Sequence, residues 1–145
     1  MKLYSLFDGP EKKKRLSHIK NLLALAMSDK SVDEKELELI FHIGAKAGLS
    51  HTELERILDN PESVTFYPPS TMQERIEQLF DLTMVMLADG EIDVRELLLC
   101  KVIAVKMNFK PEVIDLMVEN LLDLVTRKVK REVAIAQLLQ LLGRL

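Results

Sequence analysis

The sequence predicts an all-α domain of about seven helices, built as two tandem helix–acidic turn–helix repeats packed with pseudo-twofold symmetry. Three observations carry that prediction. Apolar residues recur at i, i+3, i+4 and i+7, the spacing of one helical face. Segment ends carry helix punctuation, with Ser or Thr followed three residues later by Glu, Pro at starts, and Gly or Asn at ends. Finally, a shift of sixty positions lays the chain onto itself without a gap.

Pro10 suits the first turn of a first helix, where its missing N–H costs nothing. Leu16, Ile19, Leu22, Leu23, Ala26 and Met27 then recur at helical spacing until Ser28-Asp29-Lys30 breaks the run. A second helix carries Leu37, Ile40, Phe41 and Gly44 on one face, and Gly48 is its left-handed stop. Ser50 and Glu53 form a capping box for a short third helix ending near Leu58. Residues 60–70 hold Pro61, Pro68 and Pro69 and read as an extended connection. Thr71 and Glu74 open a fourth helix through Ile76, Leu79, Phe80 and Thr83 to Leu87. The fifth runs from about Asp93 to Met107, with Asn108 as its stop. Pro111 starts a sixth, bearing Val113, Ile114, Met117, Leu121 and Leu124. A last helix is expected over 128–142, basic at its start and apolar on nearly every side later. The whole is one domain, 1–145, with repeats over approximately 16–58 and 76–118.

Bulk properties exclude several classes. A chain of 145 residues buries roughly 70% of the surface it exposes when unfolded, enough for a core without staples. Five Gly and five Pro are too few for the turns of a β-sandwich. A net charge of −3 lacks the general basic footprint of a nucleic-acid binder. One cysteine, Cys100, excludes an intrachain disulfide and suits a reducing, cytoplasmic setting. No basic start leads into an apolar h-region, and no apolar run is long enough to span a bilayer.

The repeat matches chemistry as well as spacing. Leu22 falls on Leu82, Asp29 on Asp89, Asp33 on Asp93, and Glu36 on Glu96. The turn reads Ala88-Asp89-Gly90-Glu91-Ile92-Asp93-Val94-Arg95-Glu96 in the second copy. In the first it reads Ser28-Asp29-Lys30-Ser31-Val32-Asp33-Glu34-Lys35-Glu36. One reading is structural: Asp33 and Asp93 cap helices, and Glu36 and Glu96 close capping boxes, each cap contributing about 1 kcal/mol. The other is a divalent-cation site, because Asp-Gly-x-Ile-Asp-x-x-Glu copies the latter half of an EF-hand loop. The first half fails: Val85 and Leu87 stand where the opening carboxylates belong, so this is not an EF-hand.

The motif at 88–96, echoed at 28–36, resembles the TerB-like tellurite-resistance domains, which also occur in some DnaJ-type co-chaperones. The likeness extends in pattern from about Leu16 to Val118. It implies an all-α, non-enzymatic domain linked to stress or tellurite response, with an acidic surface for a divalent cation. Matched onto this chain, that surface comprises Asp29, Asp33, Glu36, Asp89, Asp93 and Glu96, binding calcium or magnesium weakly. Lys30 departs from the pattern where the family favours Gly.

The remaining chemistry is sparse. His18, His42 and His51 are scattered without ligand spacing and read as surface or packing residues. Cys100 falls on Ile40 and reads as a small buried hydrophobe. The clusters Lys12-Lys13-Lys14-Arg15 and Arg127-Lys128-Lys130-Arg131 read as solvated faces. Val133, Ile135, Leu138, Leu139, Leu141 and Leu142 wrap the last helix, so it either crosses the domain centre or serves as an oligomer or partner contact.

Two functions follow as expectations. The first is a non-enzymatic TerB-like module whose acidic turns bind a divalent cation or a basic partner. The second is an interaction domain acting through the apolar C-terminal helix, with its acidic residues serving as caps. A protein partner or a second copy is expected, and neither nucleic acid nor a membrane span.

Overall fold

The computed structural model describes residues 9–28 and 33–144. Seven α-helices make up the described residues: α1 (Pro10–Ala26), α2 (Glu34–Lys46), α3 (His51–Asp59), α4 (Met72–Met86), α5 (Val94–Lys106), α6 (Pro111–Thr126) and α7 (Arg131–Gly143). One short 3-10 turn, Pro61–Ser63, interrupts the connection after α3, and there is no strand among these residues. The all-α expectation is borne out.

The punctuation works as the residues imply. The Ser50 hydroxyl accepts from Glu53 N at 3.1 Å, and the Glu53 carboxylate accepts from Ser50 N at 3.0 Å, closing the box at α3. Thr71 accepts from Glu74 N at 3.1 Å to open α4. Gly48 and Asn108 end α2 and α5 at φ +88 and +69, the left-handed stop expected at both. The last helix starts three residues later than 128, because Lys128 itself takes φ +59 and turns the chain before Arg131.

α1 and α4 form the spine. Leu16, Ile19, Leu22, Leu23 and Leu25 of α1 are fully buried, as are Ile76, Leu79, Leu82, Val85 and Met86 of α4. These two helices bury side chains around most of their circumference, nine residues in α1 and eight in α4, as expected of central elements. Each such side chain contributes about 2 kcal/mol by leaving water. α2 and α3 pack on α1, whereas α5, α6 and α7 pack on α4. The connection over 60–70 is pinned to α1: Ser17 Oγ accepts from Tyr67 N at 2.8 Å, and Lys20 Nζ donates to the Val64 carbonyl at 2.6 Å.

Two details refine the expectation. α7 does not cross the centre, which the α1–α4 pair already fills. It buries Ala134, Ile135 and Leu138 against α4 and α6 and leaves Val133 and Ala136 exposed. Gly44 marks a close approach, since a Cβ there would lie 2.5 Å from Leu54 Cδ2 and 3.4 Å from Ile19 Cδ1. The second copy has Ala104 at the matching place, fully buried.

Candidate functional site

Asp29 lies outside the described residues. The other acidic-turn residues divide into caps, a turn residue and buried groups. Asp33 Oδ1 accepts from Lys35 N at 2.8 Å and Glu36 N at 3.3 Å, capping α2. Asp93 Oδ1 accepts from Arg95 N at 2.7 Å, and the Arg95 guanidinium closes on both carboxylate oxygens at 3.2 Å. That side chain, together with the backbone N–H groups, holds the Asp93 carboxyl below its ordinary range. Asp89 accepts from Glu91 N at 3.1 Å across the bend that Gly90 makes at φ +88. Glu36 and Glu96 are not on the surface at all: they are 2% and 1% exposed. The reason is periodicity, because each stands four residues before a buried core position, Ile40 or Cys100, and shares its face. Among the described residues, no three His, Cys, Asp or Glu side chains converge as a metal ion would require.

The deepest polar chemistry lies elsewhere. A cleft of about 370 Å³ opens between α1, α2, α4 and α7. At its base Asp81, 3% exposed, is shared by two partners: His18 Nε2 at 2.8 Å and the Arg131 guanidinium. With its proton on Nε2, His18 donates to the carboxylate, while its Nδ1 is enclosed without a hydrogen-bond partner. Arg131 also reaches Glu77 at 3.8 Å and lies 5.5 Å from the Phe80 ring, a cation–π distance. Nearby, Lys14 Nζ joins Glu11 at 3.1 Å and Glu74 at 3.3 Å. Hydrogen bonding to Glu11, then to Glu74, raises the Lys14 pKa against the desolvation that opposes it. A buried carboxylate is tolerable only when paired, so Asp81 ties α1, α4 and α7 together.

The third feature is apolar. Val94, Leu98, Val102 and Val105 of α5 are 69%, 58%, 49% and 48% exposed. At 100° per residue they fall within about 80° of arc, a single outward stripe. Between α5 and α6 runs a groove of about 250 Å³, lined by Leu98, Val102, Val105, Pro111 and Ile114 and bridged by Lys101 Nζ to Asp115 at 2.9 Å. Four large exposed apolar side chains gather on this one helix face. A concentration of that kind marks contact surfaces in folded proteins. The matching positions of α2 are Glu34, Glu38, His42 and Ala45, all exposed.

Cys100 sits on the inner side of α5. Burial pushes its thiol up to about 12, so it packs as a small hydrophobe and does not ionise near neutrality.

Comparison with protein-family models, with curated proteins and with solved structures found no match.

Two features are not evident from the sequence. Arg131 falls in a basic cluster that reads as solvated, yet it pairs with a buried carboxylate. The available signal was Asp81 itself, a lone charge inside the apolar run Leu79-Phe80-Asp81-Leu82. The α5 stripe was legible only by laying the outward positions of the two repeats side by side. Matching their inward positions does not reveal it.

Proposed function

We propose that this chain is a non-catalytic, TerB-like binding module whose contact surface is the outer face of α5. The observation that carries the proposal is the contrast between repeats. Equivalent exposed positions hold Glu34, Glu38, His42 and Ala45 in one copy, and Val94, Leu98, Val102 and Val105 in the other. Core packing places no demand on these positions, so a solvated face is the low-cost solution, and α2 has it. Leaving four aliphatic side chains in water makes sense where a protein covers them. Of the two expectations, the partner-binding one therefore gains support, with its surface moved from α7 to α5. The cleft is read as structural: Asp81 is engaged by His18 and Arg131, and Lys14 by Glu11 and Glu74, which uses their charge to join helices. At the turns, Asp33 and Asp93 are occupied as caps.

The test is a photo-crosslinking side chain placed at Val102 and, separately, at His42, in cells producing the chain. Adducts from position 102 and none from 42 are expected. Equal yields, or none from either, would remove α5 as the contact surface.

A further inference from the structure

The charges bordering the α5 stripe are arranged with a polarity. Arg95 and Lys106 lie on the side away from α6, about 100° and 120° round the helix from Val94, and both are exposed. On the opposite side, exposed Glu112, Asp115 and Glu119 line α6. Lys101 stands between the helices and is matched internally by Asp115. Asp93 holds the Arg95 guanidinium and Lys101 holds Asp115, so Lys106 carries the net positive charge of one flank and Glu112 and Glu119 the net negative charge of the other, with Lys110 exposed at its end and the apolar stripe between.

We propose that the occupant of this face is a second copy of the chain, paired about a twofold axis that runs parallel to α5. This rests on the docking reading above. An axis in the interface along the helix sends each point to the opposite flank of the partner at the same height. Basic flank then meets acidic flank, twice, as an isologous contact requires. Heights agree as well. α6 runs back along α5, since Val105 and Pro111 line one end of the groove and Lys101 pairs with Asp115 further along. By that register Lys106 lies within about 3 Å in height of Glu112 of the second copy, a gap its long side chain spans. An axis perpendicular to α5 would instead set each flank against its own kind, with Glu112 and Glu119 of one copy facing the same carboxylates of the other. Charge selects the parallel arrangement and also disfavours the antiparallel one.

The contact is small. α5 has 13 residues, so the face is roughly 20 Å long and two helices wide. That is below the area of about 800 Å² per partner typical of stable complexes, so the pairing is reversible and weak.

Sedimentation equilibrium of the full chain from about 10 µM to about 1 mM spans the range such a contact needs. Wild type should shift from monomer towards dimer. Lys106→Glu and Glu112→Lys should each weaken association about 10-fold, and combining them should restore it, because the two charges exchange across the axis. Both residues are exposed, and unchanged melting temperatures of the variants will show that the fold persists. A wild-type chain that stays monomeric throughout overturns self-pairing, as does a double variant no better than the singles. If the monomer nonetheless yields adducts of another protein from position 102, the docking face stands and only its occupant is wrong. Adducts absent at 102 remove the docking reading itself.

Discussion

The two repeats share an interior and differ in their exteriors. Glu36, Ile40 and Gly44 are the buried positions of α2, and Glu96, Cys100 and Ala104 repeat them in α5. The outward positions have parted: α2 presents carboxylates and a histidine, and α5 presents aliphatic side chains. Packing fixes the size and polarity of side chains against the α1–α4 spine, because misfits there are felt at once. It imposes nothing on the outer faces. The duplicated unit thus acts as an internal control in which one copy shows what the fold needs and the other shows an addition.

The asymmetry can be attacked at several places, beginning with the largest expected effect. Only the second copy carries a buried carboxylate in the middle of its first helix, Asp81, where the first copy has Asn21. Asp81→Ala strands His18 and Arg131 and should cost about 3 kcal/mol, read from the urea midpoint. A cost near zero would mean that the network contributes nothing to docking α7.

Making the first copy resemble the second at Gly44 comes next. Gly44→Ala drives a methyl group against Leu54 and should cost about 1–2 kcal/mol despite the better helix propensity of Ala. Ala104→Gly in the second copy should cost about 1 kcal/mol through propensity alone. A stabilised Gly44→Ala variant would show that Leu54 turns aside freely.

Asp33→Ala should lower stability by about 1 kcal/mol and Asp93→Ala should shift it in the same direction, in line with their capping bonds. The Asp93 contribution has a predictable pH dependence. Its folded carboxyl is held low, so the unfolded chain takes up the proton first as pH falls. The stabilisation is complete above the ordinary carboxylate range of about pH 4 and disappears as pH drops through the folded value. The gap between wild type and Asp93→Ala should therefore narrow as pH falls below about 5 and close once it has passed through the lowered folded value. A gap that persists in acid would mean the side chain acts otherwise than as an ionised cap.

Most of the fold was legible because helix boundaries are written locally. Ser50 with Glu53, Pro111, Gly48 and Asn108 each act within a few residues, and periodicity supplies the buried faces between them. What escaped was non-local. Nothing near Arg131 says that it reaches Asp81 fifty residues away. Nothing near Glu36 separates a capping-box carboxylate from one held under the surface, except the position of Ile40 four residues on. The wrapped apolar pattern of α7 suggests a central helix, yet the centre is taken by α1 and α4, which bury nine and eight residues against three in α7. The candidate face on α5 falls in the same class: periodicity finds the inward stripe, and a second, outward stripe on the same helix reads as noise until the other repeat is laid beside it.

The most direct test transplants one exterior onto the other. The variant Val94→Glu, Leu98→Glu, Val102→His, Val105→Ala gives α5 the outward residues of α2 and leaves every buried position untouched. Surface exchanges of this kind change stability by about 0.5 kcal/mol or less per site, so its melting temperature should stay close to that of wild type. In sedimentation equilibrium the wild type should gain mass with concentration and the variant should remain a monomer at every loading. Identical curves for the two proteins would contradict the claim that copies of this molecule pair through the outer face of α5.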